Sequence, residues 1–248
     1  MGRNWVVTGG SRGIGRAVVD RALAGGDTVH VLARTVDRDS WPAGVRDRVR
    51  PVAVDVADPD SVERAVTAVE QDSGAVDALV QAAGVHRGGR LERLGDEAWQ
   101  EVIGTNLTGA FRVARAVRRL LVDGSSVVNV GAVVGLRGFP GDAAYGSAKA
   151  GLSGLTSTLA VELAPQGVRV NLVVPGFVDT EMTAGIPPAA RQAIVDGIPM
   201  GRVGRAEEIA EVICAVAGAS YMTGSTVAVD GGLLASFGAP RPRSRAAG

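Results

Sequence analysis

Along the chain, short apolar runs alternate with longer stretches in which apolar residues return every three or four positions. These are the periods expected of buried strands and of helices. Runs over Trp5–Val7, Thr28–Ala33, Val52–Val54, Asp77–Val80, Ser126–Gly131, Val168–Val174 and Thr226–Val229 predict about seven strands. Helical patterns lie between them. One runs through Ala17, Val18 and Leu23, and one from Asp58-Pro59 to about Asp72 has Val62, Ala65, Val66 and Val69 on its buried side. Others span Trp99 to about Leu121, Asp142 to Leu163, and Ala206 to Ala217. Strands alternating with helices predict an α/β fold: a doubly wound parallel sheet with right-handed crossovers, whose ligands sit outside the carboxyl ends of the strands.

Composition sharpens this picture. Of 248 residues 46% are hydrophobic but only 4% aromatic, which suits a core of Ala, Val, Leu and Ile in a sheet covered on both faces. No linker-like stretch divides the interior, so one domain over residues 1–235 is expected. The remainder, 236–248, contains Pro240-Arg-Pro-Arg-Ser-Arg and no apolar pattern, and is expected to be a disordered tail. The 26 acidic and 26 basic side chains cancel and are interspersed, which argues against nucleic acid or a membrane as partner. No apolar run reaches the ~18 residues of a membrane span. Met1-Gly2-Arg3-Asn4 leads straight into a strand without a signal-peptide layout, and the single cysteine, Cys214, lies in the apolar helical run Ile209–Ala217. A cytoplasmic protein with a packing cysteine and no metal site is expected.

Two stretches carry candidate chemistry. In Tyr145-Gly146-Ser147-Ala148-Lys149 a phenol and an amine stand four residues apart on a predicted helix, projecting from one face. The chain has 25 Arg and a single Lys, and that Lys is Lys149. A guanidinium cannot lose its proton, whereas a pocket can adjust an ammonium, so the one amine at this spacing points to a functional pair, the alternative for the bare motif being an ordinary surface helix pair. At the other end of the chain, the first strand runs into Thr8-Gly9-Gly10-Ser11-Arg12-Gly13-Ile14-Gly15 and then a helix. Glycines at 9, 13 and 15 permit a tight turn that brings backbone amides at the helix N-terminus to a pyrophosphate.

The Thr-Gly-x-x-x-Gly-Ile-Gly spacing and the Tyr-x-x-x-Lys pair resemble the short-chain dehydrogenase/reductase family, and the resemblance runs from residue 4 to about residue 234. It looks closest to the 3-oxoacyl-[acyl-carrier-protein] reductase and polyketide ketoreductase branch. It implies a Rossmann-type fold and a nicotinamide cofactor held by Gly9, Ser11, Arg12, Gly13, Ile14 and Gly15. Asp55 and Val56 would contact the adenine, and Ala83 and Gly84 would keep the backbone close to the cofactor. The loop Pro175-Gly176-Phe177-Val178-Asp179-Thr180 would bind the carboxamide. Arg34 ends the second strand where users of the non-phosphorylated cofactor have an acid. With Arg12 it suits a 2′-phosphate, hence NADPH, the alternative being two solvated arginines.

In the resembled mechanism Tyr145 protonates the reduced carbonyl. Lys149 holds the ribose hydroxyls and lowers the tyrosine pKa, and Asn106 perturbs its helix and links Lys149 to solvent through water. The segment from about Glu181 to Gly204, with three prolines, resembles a lid. The resemblance further implies a homotetramer or homodimer pairing the two long helices, and a small-molecule or acyl-thioester substrate, free or on an acyl carrier protein. Arg87, Arg90 and Arg137 are basic residues near the site that such docking could use, the alternative being that they are simply solvated.

Two departures stand out. Gln81-Ala82-Ala83-Gly84 replaces Asn-Asn-Ala-Gly, from which some loss of rigidity is expected. Gly131-Ala132-Val133-Val134-Gly135 replaces Gly-Ser-x-x-Gly, so Ala132 stands where the serine that positions the carbonyl belongs. Losing such a donor costs roughly 3 to 4 kcal/mol. His86, following the Gly84 turn, is a candidate to take over that role. The expected function is NADPH-dependent reduction of a ketone, a 3-oxoacyl thioester or polyketide carbonyl, to a secondary alcohol. The alternatives are a non-redox isomerase or cyclase, a cofactor-binding scaffold without turnover, and a reductase inactivated by a Ser-to-Ala substitution.

Overall fold

The computed structural model describes residues 2–236; Met1 and residues 237–248, which hold nearly all of the expected tail, lie outside the described residues. The strands are β1 (Asn4–Thr8), β2 (Thr28–Ala33), β3 (Val49–Ala53), β4 (Val76–Gln81), β5 (Leu121–Val130) and β6 (Arg169–Pro175). They are followed by the two-residue strands β7 (Val178–Asp179) and β8 (Gly204–Arg205), which pair with each other, and by β9 (Thr226–Val229). The sheet has seven strands, ordered β3-β2-β1-β4-β5-β6-β9, and every pairing is parallel. The helices are α1 (Gly13–Ala24), α2 (Pro59–Ser73), α3 (Asp96–Ile103), α4 (Gly109–Val117), α5 (Ala143–Leu163), α6 (Pro188–Asp196) and α7 (Ala206–Gly218).

Successive strand residues point to opposite faces, and both faces are covered. Trp5 and Val7 pack with Val18 and Leu23 of α1 and Ile209 and Ile213 of α7. Val6, between them, packs with Val62 and Val66 of α2, Val113 and Val117 of α4, and Leu163 of α5. Two dry faces explain why the strands read as unbroken apolar runs. Asp58 caps α2, its side chain accepting the Asp60 amide at 2.9 Å, with Pro59 at the first helical position. From β1 the chain runs outward to β3 on one side and from β4 outward on the other. That reversal opens a crevice at the carboxyl ends of β1 and β4.

The chain departs from the periodicity in three places. β3 begins at Val49 and includes Pro51, where a strand over Val52–Val54 is expected; an edge strand tolerates proline because only one side pairs. The helix expected from Trp99 to Leu121 begins at Asp96, is interrupted by a π turn at Gly104–Thr108, and ends before Leu121, which already belongs to β5. β5 itself starts five residues ahead of the expected Ser126. Its register against β4 jumps from Val76↔Leu121 to Ala78↔Ser126, and Val122, Asp123 and Gly124 are exposed, so regular pairing starts where the apolar run does. Among the described residues no helix is long and apolar enough to cross a membrane.

Candidate active site

At the crevice, Gly9 adopts φ +68°, and a Cβ there would stand 2.8 Å from the Ala83 backbone. A Cβ on Gly15 would overlap the Gly9 carbonyl. The turn therefore closes only with glycine at both positions, and it leaves the N-terminus of α1 bare, where amides and the helix dipole favour an anion. Thr8 Oγ1 accepts the Ala83 N–H at 3.2 Å, joining the ends of β1 and β4. Ser11 and Ile14 lie half-buried in the same turn. Thr180 closes over it, its methyl 3.4 Å from where a Cβ on Gly13 would be. Arg12 precedes α1 and Arg34 follows β2; both are exposed, and neither guanidinium has a partner among the described residues. Asp55 turns on itself, accepting the Ala57 N–H at 2.9 Å. The adjacent Val56 is buried against Gly109, where a Cβ would come within 2.8 Å of the valine methyl. At the far strand ends, Gly176 packs on Asp230 with no room for a side chain, and Val178 is buried where β7 meets β8.

Lys149 is 6% exposed and donates to the Val130 carbonyl at 2.7 Å, pinning α5 to the end of β5. Burial lowers its pKa to about 8. Its ammonium lies 5.6 Å from the Tyr145 ring centroid. Burial, with the Asp142 carboxylate adding to it, pushes the Tyr145 hydroxyl up to about 12. The expected lowering by Lys149 is not found, because desolvation outweighs a cation turned toward a carbonyl. Asn106, 1% exposed, sits in the π turn and clamps Val85, accepting its N–H and donating to its carbonyl, each at 2.8 Å. A cavity lined by Thr8, Gln81, Thr105, Asn106 and Lys149 leaves ≈ 10 Å³ for the centre of a water-sized molecule, room for roughly one water. The Gln81 Oε1 beside it is buried with no partner among the described residues.

Ala132 is extended at φ −163°, ψ 152°, and its carbonyl accepts the Gly135 N–H at 2.9 Å. A methyl offers no donor. Ser125 donates to the Val76 carbonyl at 2.7 Å, at the opposite end of β5 from the cleft. His86 reaches across the cleft: its Nε2 is 2.7 Å from Asp142 Oδ1, and its ring packs edge-to-face on Tyr145 with centroids 5.1 Å apart.

The profile of a family described as "Enoyl-(Acyl carrier protein) reductase" matches residues 9–234. The chain belongs to the short-chain dehydrogenase/reductase family. It is 38% identical to the 3-oxoacyl-[acyl-carrier-protein] reductase FabG of Thermotoga maritima over 243 residues, covering 94% of this chain and 98% of that protein. Over 240 residues it is 38% identical to the Escherichia coli FabG, covering 94% and 97%. Among solved structures, the Pseudomonas aeruginosa RhlG/NADP active-site complex matches with TM-score 0.88 and 33% identity over 94% of this chain and 96% of that one. A short-chain dehydrogenase/reductase from Brucella melitensis matches with TM-score 0.88 and 31% identity over the same shares.

Seen as a short-chain dehydrogenase/reductase, the chain corrects one expectation at Gln81-Ala82. Gln81 Nε2 donates to Asn129 Oδ1 at 3.0 Å, and Asn129 Nδ2 donates to Thr156 Oγ1 at 2.9 Å, all three buried. A polar ladder from β4 through β5 to α5 thus bridges the strand pair expected to lose rigidity, because glutamine at 81 reaches the neighbouring strand. Arg87 is closed onto Glu101 by two bonds of 2.8 Å, and Arg137 donates to the Leu233 carbonyl at 2.8 Å, which leaves Arg90 as the uncommitted one of the three basic residues. Asp142 had no signal in the sequence beyond a helix start; its contact with His86 spans 56 positions.

Proposed function

We propose that this short-chain dehydrogenase/reductase reduces a ketone to a secondary alcohol with NADPH. What carries the reading is the pair at the crevice: a phenol held protonated four residues from a buried amine, both on α5 and beside the glycine turn. The residues fit the cofactor. The cradle at Gly9 and Gly15 has no space for side chains, and the free cations Arg12 and Arg34 suit the 2′-phosphate. Asp55 and Val56 would flank the adenine, Ala83 and Gly84 the ribose side, and Pro175, Gly176, Val178 and Thr180 the carboxamide. Bound, the reduced nicotinamide is the hydride source.

Tyr145 donates its proton to the oxygen as the C=O pair moves onto it. Lys149 binds the ribose hydroxyls and offsets the negative charge left on the phenol. The π turn at Asn106 and the one-water cavity support a proton path from Lys149 outward, with the Asn106 side chain itself occupied by Val85. The FabG relatives support a 3-oxoacyl thioester on an acyl carrier protein as substrate. The segment 181–204 serves as lid: it touches down through Arg191 of α6, which donates to Asp179 at 3.0 Å, and through the Met200 N–H, which bonds the Gly231 carbonyl at 3.1 Å, while α6 itself has no buried residue. The test is NADPH oxidation, followed as loss of the reduced nicotinamide absorbance, with a 3-oxoacyl thioester, and with the alcohol identified by mass.

Arg12 and Arg34 predict that NADPH binds at least about tenfold tighter than NADH, about 1.4 kcal/mol. Fluorescence titration of both cofactors checks this, and equal affinities in the parent would remove the arginines' assignment. Assembly follows from the outer side of the long helices, where Phe111 is 44% and Val161 78% exposed beside the small residues Ala150 and Gly154. We infer a homotetramer, or a homodimer, closed through this face. Light scattering at micromolar concentration should give a multiple of the 25.2 kDa chain, and Val161→Glu should shift it toward the smaller species.

A further inference from the structure

We propose that His86, held by Asp142, gives the substrate carbonyl the hydrogen bond that Ala132 lacks; the inference rests on the reductase reading above. Three pieces of chain meet at this imidazole. The loop after β4 carries it, the residue before α5 supplies Asp142, and the first turn of α5 supplies Tyr145. A carboxylate only accepts, so the proton in the 2.7 Å contact with Asp142 is on Nε2. Nδ1 has no partner among the described residues, and the side chain is 36% exposed, so it can meet a ligand in the cleft.

The ring is not free to wander. It stands at 79° to Tyr145, Gly88 backs it so closely that a Cβ there would be 3.1 Å from Cε1, and the Gly89 N–H bonds the Gly141 carbonyl at 2.9 Å, tying the two loops together. With its second proton the ring donates from Nδ1. Closed onto Asp142, that imidazolium brings no net charge into the cleft yet sets a charge-assisted donor beside the phenol, where the alkoxide develops. It also offsets the carboxylate that helps push the Tyr145 hydroxyl up. The titratable and charged groups around it are Asp142 and Tyr145 from α5, Lys149 against the same Tyr145 ring, and Arg87 on its own loop, closed onto Glu101 of α3. Asp142 is then a positioning residue, and His86 the group that touches the substrate.

The test is a double-mutant cycle on kcat/KM for a 3-oxoacyl thioester, with NADPH titration as the check on folding. His86→Ala should lower kcat/KM at least about tenfold with the NADPH Kd within about twofold, and Ala132→Ser should help at least about fivefold more in the His86→Ala background than in the native one, because the two groups serve one oxygen. His86→Gln keeps a side-chain donor at the same place and should retain most of the activity. Turnover aside, the chain has two histidines, so imidazole nitrogen resonances, assigned with His86→Gln, should show the neutral ring protonated at Nε2. Equal losses from His86→Ala with and without the serine, an unchanged kcat/KM for His86→Ala while Tyr145→Phe still abolishes turnover, or a neutral ring with its single proton on Nδ1 would each overturn the proposal and leave the reductase reading standing. Failure of both the parent and Ala132→Ser to oxidise NADPH with any ketone would remove the reading and the proposal together.

Discussion

Tyr145→Phe should lower kcat for ketone reduction about a thousandfold while changing the NADPH Kd less than about twofold, since a positioned general acid contributes roughly 10² to 10⁴. The substitution deletes one oxygen and keeps the ring against which His86 packs, so the cleft holds its shape. Burial and the Asp142 charge raise the hydroxyl to about 12. Below that pH the phenol keeps its proton, so the donor for reduction is present across the working range. The reverse reaction, alcohol oxidation, needs the phenolate and should gain from rising pH. Stopped-flow single turnovers in both directions check this, and a phenylalanine variant that still reduced its ketone at a tenth of the parent rate would show that the proton comes from elsewhere.

If Lys149 binds the ribose as proposed, Lys149→Met should cost about a hundredfold in kcat and weaken NADPH at least about tenfold, because the variant loses the only ammonium among the side chains and with it that donor. Lys149→Arg should not rescue it; a planar fork that cannot give up its proton does not replace a compact cation in a site this closed. Burial sets the lysine at about 8 in the folded chain against an ordinary 10.5. Its ammonium is therefore lost as pH rises through about 8, and kcat/KM for NADPH, which reports the cofactor-free protein, should fall over the same window. Stability moves the other way. Between 8 and 10.5 the unfolded chain binds more protons than the folded one, so the cost of burying the cation, on the order of 3 kcal/mol, is present at neutral pH and relieved as pH rises. Lys149→Met should therefore melt above the parent at pH 7, in thermal scans at fixed protein concentration.

The ends of β2 and β9 follow the apolar runs residue for residue, because each run is bounded by turn residues; β2 is buried on both faces, whereas β9 is an edge strand with no fully buried residue. Pro51 hides the start of β3, since the acceptability of a proline depends on its strand being the outermost. The π turn at Gly104–Thr108 is not marked in a periodicity count, because its five residues are too few to set a period of their own. Gly9, Gly15 and the Tyr145–Lys149 spacing were legible for the opposite reason: each is a constraint on neighbouring residues alone.

What the chain determined by itself, then, is the alternation of strands and helices, the glycine turn after β1, and the four-residue offset that sets a phenol and an amine on one helical face. Each is decided by backbone sterics and side-chain period within one segment. The tertiary structure decided which groups those segments meet: Gln81 on Asn129, Lys149 on the Val130 carbonyl, Asn106 on Val85, and His86 on Asp142. It also decided the direction of the two shifted pKa values, raised at Tyr145 and lowered at Lys149. Those outcomes depend on desolvation and on partners contributed by strands and loops as many as 56 positions away, and no local pattern of residues encodes how much water the assembled cleft excludes.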